Sequence, residues 1–313
     1  MHRYILQRII TTIPVMGVVA LIVFFLMRLS VGDPALIMAG DGATEAQLEE
    51  MRKQMGIDSP IPVQFLNWLG QMLSGNFGIS LHSRVPVTEV IASRVGPSLS
   101  LSILTILFSV SVAIPIGLLA AWSHGSVLDR LVMSFSVLGF STPVFVIAYA
   151  LVFTFSVKAG WFPIQGYRPL ANGIGPWFTS LVLPMLSLAT VNIALVARIT
   201  RSSILEVLGE EYIRTARSKG LRESRVFLRH ALRNAAVPIV TIVGIGAAFL
   251  MSGVVVTESV FNIPGLGRLV LEAVLARDYP LIQALILLFS AIYIFINLVV
   301  DILYTVFDPR IRY

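Results

Sequence analysis

Charge is scarce in this chain and cysteine is absent. Only 13% of the 313 residues are Asp, Glu, Lys or Arg, and 56% are hydrophobic; a soluble domain carries about 25% charged residues. Mean hydropathy is +0.86. Polar surface is too sparse to wrap the apolar bulk, so the expected class is an all-α polytopic membrane protein whose apolar residues face lipid. The lack of cysteine excludes disulfides, thiolate metal sites and cysteine nucleophiles. His2, His82, His124 and His230 are scattered with none at ligand spacing from another, and neither a metal nor a cofactor is expected. Lysine occurs only at Lys53, Lys158 and Lys219, never after a glycine, so there is no P-loop to cradle nucleotide phosphates. Gly-x-Ser-x-Gly and His-Glu-x-x-His are also missing, and the chain is not expected to be an enzyme. The net charge of +6 would suggest nucleic acid in a soluble protein. In a membrane chain it belongs to Lys- and Arg-rich cytoplasmic loops, and no nucleic-acid partner is expected.

What is present is long apolar runs. Crossing about 30 Å of hydrocarbon takes roughly 20 apolar residues, and six stretches qualify: Ile9–Leu29, Leu99–Trp122, Leu131–Val157, Phe178–Ala197, Val237–Thr257 and Leu281–Val300. The first follows Arg3 and Arg8 but is longer than a signal-peptide core, and no small-x-small cleavage site lies between Arg28 and Asp33. It is expected to be a retained span. These boundaries divide the chain into an N-terminal helix (1–29), an extracytoplasmic helical segment (30–97), a five-helix core (98–307) with a loop at 198–236, and a tail (308–313).

Orientation follows from loop charge. Residues 198–236 hold nine basic and four acidic side chains, a net +5, whereas 258–280 carries a net −1. The basic loop is expected inside, which places both termini in the cytoplasm with Arg3, Arg8, Arg310 and Arg312. Lys158 and Arg168 run against this scheme. On the outer side, Thr44-Glu45-Ala46-Gln47 has capping-box spacing, with Gly56 as a stop. Ser59-Pro60 then opens a helix with Phe65, Trp68, Leu69 and Met72 on one face.

The second to fifth stretches, and the sixth as far as Val300, contain no ionisable residue. Proton-coupled carriers place such groups within the membrane, so a proton relay is not expected. Helix breakers and hydroxyls are present instead. Pro115, Pro143 and Pro184 each remove a helix hydrogen bond. Ser141 and Thr142, in the stretch from Gly139 to Pro143, and Ser187, Thr190 and Asn192 fit either a polar passage or close helix packing.

The loop holds the strongest local signal. Glu210-Glu211-Tyr212-Ile213-Arg214-Thr215-Ala216-Arg217-Ser218-Lys219-Gly220-Leu221 opens on two acids and closes on bases. Gly220 stands where a left-handed C-cap belongs. This predicts a short helix with a sharp stop, followed by a second helix over about Glu223–Ala236 that returns to the bilayer before Pro238. Such a helix either lies on anionic lipid or inserts into a groove on a cytoplasmic partner.

Glu211 to Gly220, with the run from Ala231 to Pro238, resembles the EAA loop of binding-protein-dependent ABC importer permeases. More narrowly, the chain is similar to the dipeptide/oligopeptide group (DppB/OppB-like), which includes nickel and glutathione members. The likeness rests also on Gly32-Asp33-Pro34, on Leu73 to Gly78, on Trp161-Phe162-Pro163, on Val260 to Gly267 and on Asp308 to Tyr313, and so runs almost end to end. Glu211-Tyr212-Ile213 stands in place of the literal Glu-Ala-Ala. The resemblance implies the type I importer architecture in a bacterial or archaeal cytoplasmic membrane. It implies as partners a second homologous permease, two cytoplasmic ATP-binding subunits, an extracytoplasmic substrate-binding protein and a peptide cargo. The helix from Glu211 to Gly220 would enter a cleft on the ATPase, with Tyr212, Ile213 and Ala216 as buried anchors. Arg214 and Arg217 would suit an acidic rim, Gly220 would fix the angle at which the helix leaves the membrane domain, and Leu221 belongs to the same coupling stretch. A stand-alone ion-coupled carrier and a membrane scaffold are the competing classes. The uncharged spans and the single nine-base loop favour the permease.

Overall fold

The computed structural model describes residues 2–29, 44–54 and 59–307. The expectations placed on Gly32-Asp33-Pro34, on Gly56 and on Asp308 to Tyr313 lie outside these residues. The described residues are almost wholly helical, with a lone antiparallel bridge between Ile79 and Pro86. In chain order the helices are α1 (His2–Leu29), α2 (Glu45–Gln54), α3 (Ile61–Leu73), α4 (Val87–Trp122), α5 (Val127–Ser141), α6 (Val144–Leu151), α7 (Ile174–Leu208), α8 (Glu211–Ser218), α9 (Ala236–Val260), α10 (Leu266–Leu275) and α11 (Tyr279–Phe307). A π-type turn, Val152–Lys158, prolongs α6, and a wound segment, Glu223–Asn234, joins α8 to α9.

Three of these helices, α4, α7 and α11, are long and apolar enough to cross a membrane. Two further pairs qualify when each bent pair is taken as one span, and a shorter apolar stretch, Ile10–Leu26, lies in α1. The stretch Leu131–Val157 is therefore not one helix. It is α5 and α6 with its extension, bent by 105°. Pro143 is the cause: it has no N–H to donate and disfavours helical dihedrals at the residue before it. Thr142 accordingly takes φ −89°, ψ 125°, and Pro143 becomes the cap of α6. The single return helix expected over Glu223–Ala236 is likewise replaced. The wound segment contains a π-type stretch at Val226–Ala231 and meets α9 at a 58° bend. Pro238 does not follow that helix; it sits in the first turn of α9, where a missing N–H costs no hydrogen bond.

The chain divides into two compact units, one built on Arg94–Leu269 and one on Arg8–Ser93 with Val270–Ile292. Within the first, α7 is the central member. Its Leu181, Leu183, Met185 and Leu188 join Leu101 of α4, Ala148 of α6, and Leu250 and Val254 of α9 in one buried cluster. Close approach comes from glycine, as in membrane helix pairs generally. A Cβ on Gly117 of α4 would meet the Ala197 carbonyl at 2.6 Å, and one on Gly139 of α5 would meet Ala194 Cβ at 3.2 Å.

Within the second unit, one half of the capping box expected at Thr44 is formed: Gln47 Oε1 accepts from Thr44 N at 2.9 Å, and the Thr44 hydroxyl donates to the same oxygen at 3.1 Å. Phe24 of α1 stacks edge-on against Phe65 of α3, with ring centroids 5.2 Å apart, and lies 5.6 Å from the Trp68 ring. Asp278 is fully buried; it accepts from Ser80 Oγ and, at 3.3 Å, from His82 N.

Candidate functional site

The predicted short helix is α8, Glu211–Ser218, and its boundaries follow from its ends. Glu210 has extended dihedrals and its carbonyl accepts from Ile213 N at 3.0 Å, placing two acids at the positive end of the helix dipole. At the other end Gly220 takes φ +74°. Gly220 N donates to Arg217 O at 2.9 Å and Leu221 N donates to Ala216 O at 3.4 Å, the paired bonds of a Schellman stop. Arg217 then grips Glu223 with two hydrogen bonds, Nε to Oε1 at 2.9 Å and Nη2 to Oε2 at 3.2 Å. That fork pins the turn between α8 and the wound segment. Arg214 pairs back to Glu211 at 2.8 Å along the exposed side of α8.

The faces of α8 divide differently from expectation. Ile213 and Ala216 are buried within this chain, where α8 packs on the wound segment. They are thus not available as anchors for a partner. Burial of an Ile-sized side chain stabilises by about 1.5–3 kcal/mol, which suffices to seat so short a helix. Tyr212 remains 42% exposed, and Glu211, Arg214 and Arg217 are exposed as well. Beneath lies an apolar platform of Ala121, Ile204, Phe227, Ala231, Ala235 and Ile239, in which the Trp122 and Phe227 rings lie 4.6 Å apart. The platform joins the ends of α4 and α7 to the wound segment and the start of α9.

Sequence reasoning missed a polar tie beside this platform. Arg201 of α7 holds Asp129 of α5 through Nε and, at 2.8 Å, through Nη2, which also lies 3.0 Å from His124 Nδ1. Asp129 Oδ2 further accepts from Gly125 N at 3.0 Å. The turn between α4 and α5 is thereby fixed to α7 at Arg201, ten residues before α8 begins at Glu211. The partners are 72 positions apart in sequence, and no local pattern joins them.

A second missed group is Glu258, at the end of α9 and fully buried. It accepts from Ser98 Oγ and from Arg268 N, the latter at 2.9 Å, while Ser98 Oγ accepts from Leu266 N at 2.7 Å. The carboxylate and the Ser98 hydroxyl that it holds thus each accept from an N–H group that opens α10. A Cβ at Gly265 would fall on that carboxylate, and one at Gly267 would come within 2.8 Å of the Val255 backbone. The glycines of the Val260–Gly267 stretch are explained by these approaches. Glu258 and Asp278 contribute to the net charge of the 258–280 segment, yet neither faces solvent.

Of the polar residues in the spans, Ser141 is exposed and Thr142 half-buried at the α5–α6 break. Ser187, Thr190 and Asn192 all lie on α7 and donate to carbonyls of their own helix. Thr190 sits where a Cβ on Gly139 would be 3.5 Å from its methyl, and Asn192 Oδ1 lies 2.5 Å from where a Cβ on Gly246 of α9 would be. Thr190 and Asn192 occupy helix contacts within the chain and Ser187 is fully buried, while Ser141 is exposed at the break and Thr142 partly so.

The chain is similar to known proteins over its whole length. The model of the binding-protein-dependent transport system inner membrane component covers residues 113–313, and that of its N-terminal part covers 1–102. The chain belongs to this family. Among its relatives is a protein of Sinorhizobium fredii named "Probable peptide ABC transporter permease protein", 48% identical over the full length of both chains. The glutathione transport system permease protein of Salmonella typhimurium is 44% identical, again over both full lengths. In fold, the chain is similar to the inward-facing MetNI methionine ABC transporter, with TM-score 0.57 and 15% identity over 70% of this chain and 96% of that one. A family member of this kind is a multi-pass membrane component of an importer, working with ATPase and substrate-binding partners, and not its catalytic subunit.

Proposed function

We propose that the chain forms half of the translocation pathway of an ATP-driven importer of di- or oligopeptides in a bacterial or archaeal cytoplasmic membrane. It crosses the bilayer six times, counting α1, with both termini in the cytoplasm. A second homologous permease completes the pathway, two ATP-binding subunits drive it, and an extracytoplasmic binding protein delivers cargo. The ATPase contact is α8: Tyr212 enters the partner's cleft, Glu211, Arg214 and Arg217 meet its rim, and Gly220 with Leu221 fixes the angle. Ile213 and Ala216 act from beneath by holding α8 on the chain's own platform. Rim charges of this kind steer docking more than they add affinity. Ser141 and Thr142 at the α5–α6 break face the pathway, and Ser187, Thr190 and Asn192 set the helix spacing behind it.

The observation that carries this reading is the seating of α8: a short helix with a defined stop, exposed on one face and packed on the other against the wound segment, which itself joins the apolar cluster at the ends of α4, α7 and α9. Peptide cargo is favoured by the full-length likeness to the Sinorhizobium fredii protein. The equally complete likeness to the Salmonella typhimurium glutathione permease favours glutathione, a modified tripeptide, as the second reading; a nickel chelate is the third. The test is uptake of labelled dipeptide, oligopeptide, glutathione and nickel into vesicles holding the chain with its partners. ATP-dependent peptide uptake is expected. Peptide movement by the chain alone on an ion gradient would instead make it a secondary carrier.

A further inference from the structure

Helix α3 differs from an ordinary loop helix in composition. None of its 13 residues, Ile61–Leu73, is charged. At 3.6 residues per turn they sort into three sectors. Phe65, Trp68, Leu69 and Met72 are half-buried, with Phe65 and Trp68 against Phe24 of α1. Asn67, Gln71 and Ser74, at spacings of four and three, form an exposed polar stripe. Between them on the other side stand Leu66 and Leu73, seven positions apart, 64% and 81% exposed.

Two hydrogen bonds set how deep this helix lies. Trp68 Nε1 donates to Gln283 Oε1 of α11 at 3.3 Å, and Gln283 Nε2 donates to the Val23 carbonyl of α1 at 3.0 Å. Val23 is three residues inside the end of the apolar stretch Ile10–Leu26, and Gln283 is four residues inside the start of α11 at Tyr279. At 1.5 Å per residue both points lie about 4–6 Å within their helices. That is the depth, about 5–10 Å, at which interfacial helices bury an apolar face between headgroups and acyl chains. Leu21, Ile22, Phe25 and Leu26 of α1, on either side of Val23, are exposed as well. Both α1 and α3, packed together through Phe24, thus leave apolar side chains exposed.

We propose that α3 is a monotopic helix lying in the plane of the bilayer interface, with Leu66 and Leu73 immersed in lipid and Asn67 and Gln71 at the aqueous boundary. Its occupant is the membrane itself, at the depth fixed by the Trp68–Gln283–Val23 chain. Segment 30–97 is on this account only partly extracytoplasmic.

The absence of cysteine makes the test direct. Single-cysteine variants Leu66→Cys, Leu73→Cys, Asn67→Cys and Gln71→Cys of the full chain, assembled with its partners in bilayers, are spin-labelled. Collision with oxygen is then compared with collision with a water-soluble nickel chelate. Labels at 66 and 73 are expected to meet oxygen and exclude nickel, and those at 67 and 71 to do the reverse. Nickel access at 66 and 73 equal to that at 67 and 71 would overturn the proposal. So would exclusion of both reagents there, which would mean that a protein covers the stripe. Leu73→Cys alone decides the matter if Leu66→Cys does not assemble. A label at Phe295, exposed in α11, reports separately whether the long helix spans lipid at all.

Discussion

Gly220 is where a single atom should disconnect the loop from its function. Its φ of +74° is left-handed, and a Cβ there would meet nothing within 4 Å. Any cost of substitution is therefore backbone strain and not collision. For an L-residue that strain is about 1–2 kcal/mol, a factor of roughly 5–30 in the population of the native turn. The neighbouring Arg217–Glu223 fork is about half exposed and contributes at most ~1 kcal/mol, too little to hold the turn unaided. ATP-driven uptake by the assembled transporter is expected to fall several-fold for Gly220→Ala and further for Gly220→Val, because a β-branched residue is a true outlier in this region. Gly220→Asn should stay near wild type, since Asn tolerates the conformation. Membrane insertion, followed by fractionation, should be unchanged in all three. Wild-type uptake by Gly220→Val would refute the coupling role. An Asn variant as poor as Val would refute the strain argument, because space and not dihedral angle would then be limiting.

Two further outcomes follow from buried contacts. Asp129→Ala leaves the largely buried Arg201 guanidinium without its carboxylate acceptor, at about 1–3 kcal/mol, while Gly125 N is exposed and can turn to water. The purified chain should melt earlier, and Asp129→Ala with Arg201→Met should recover part of the loss; no recovery in thermal unfolding would count against the pair. Gly246→Ala drives a methyl into Asn192 Oδ1 and should destabilise by about 1–3 kcal/mol, as overpacked cores do. Adding Asn192→Ala should relieve it, and an additive double variant would show that the contact is not the cause.

The end of α8 was legible in the sequence because it is local chemistry: two acids, a basic close and a glycine within a dozen residues specify a helix and its stop. Its partner was not legible. Ile213 and Ala216 mark an apolar face, and periodicity reports that a face will be covered without saying by what; here it is the chain's own wound segment. Pro143 could be read as a lost hydrogen bond, but whether neighbours hold such a helix straight or let it bend by 105° depends on packing that the local sequence does not encode. Asp129 with Arg201 and Ser98 with Glu258 are separated by 72 and 160 positions. Only the folded chain brings them together. The Val260–Gly267 stretch carried the family likeness without a physical reason, and the reason is that Gly265 and Gly267 make room for a buried carboxylate and a close backbone approach.

Whether energy enters through α8 can be tested at Tyr212. With no native cysteine, Tyr212→Cys carries the sole thiol in the chain. A maleimide bearing a photoreactive group, attached there and illuminated in the assembled transporter, reports what lies against it. Cross-linking to an ATP-binding subunit, with protection from water-soluble maleimide that is lost when that subunit is stripped away, is the predicted result. A thiol at this position that labels as fast in the complex as in the isolated chain, and cross-links to nothing, would contradict the account.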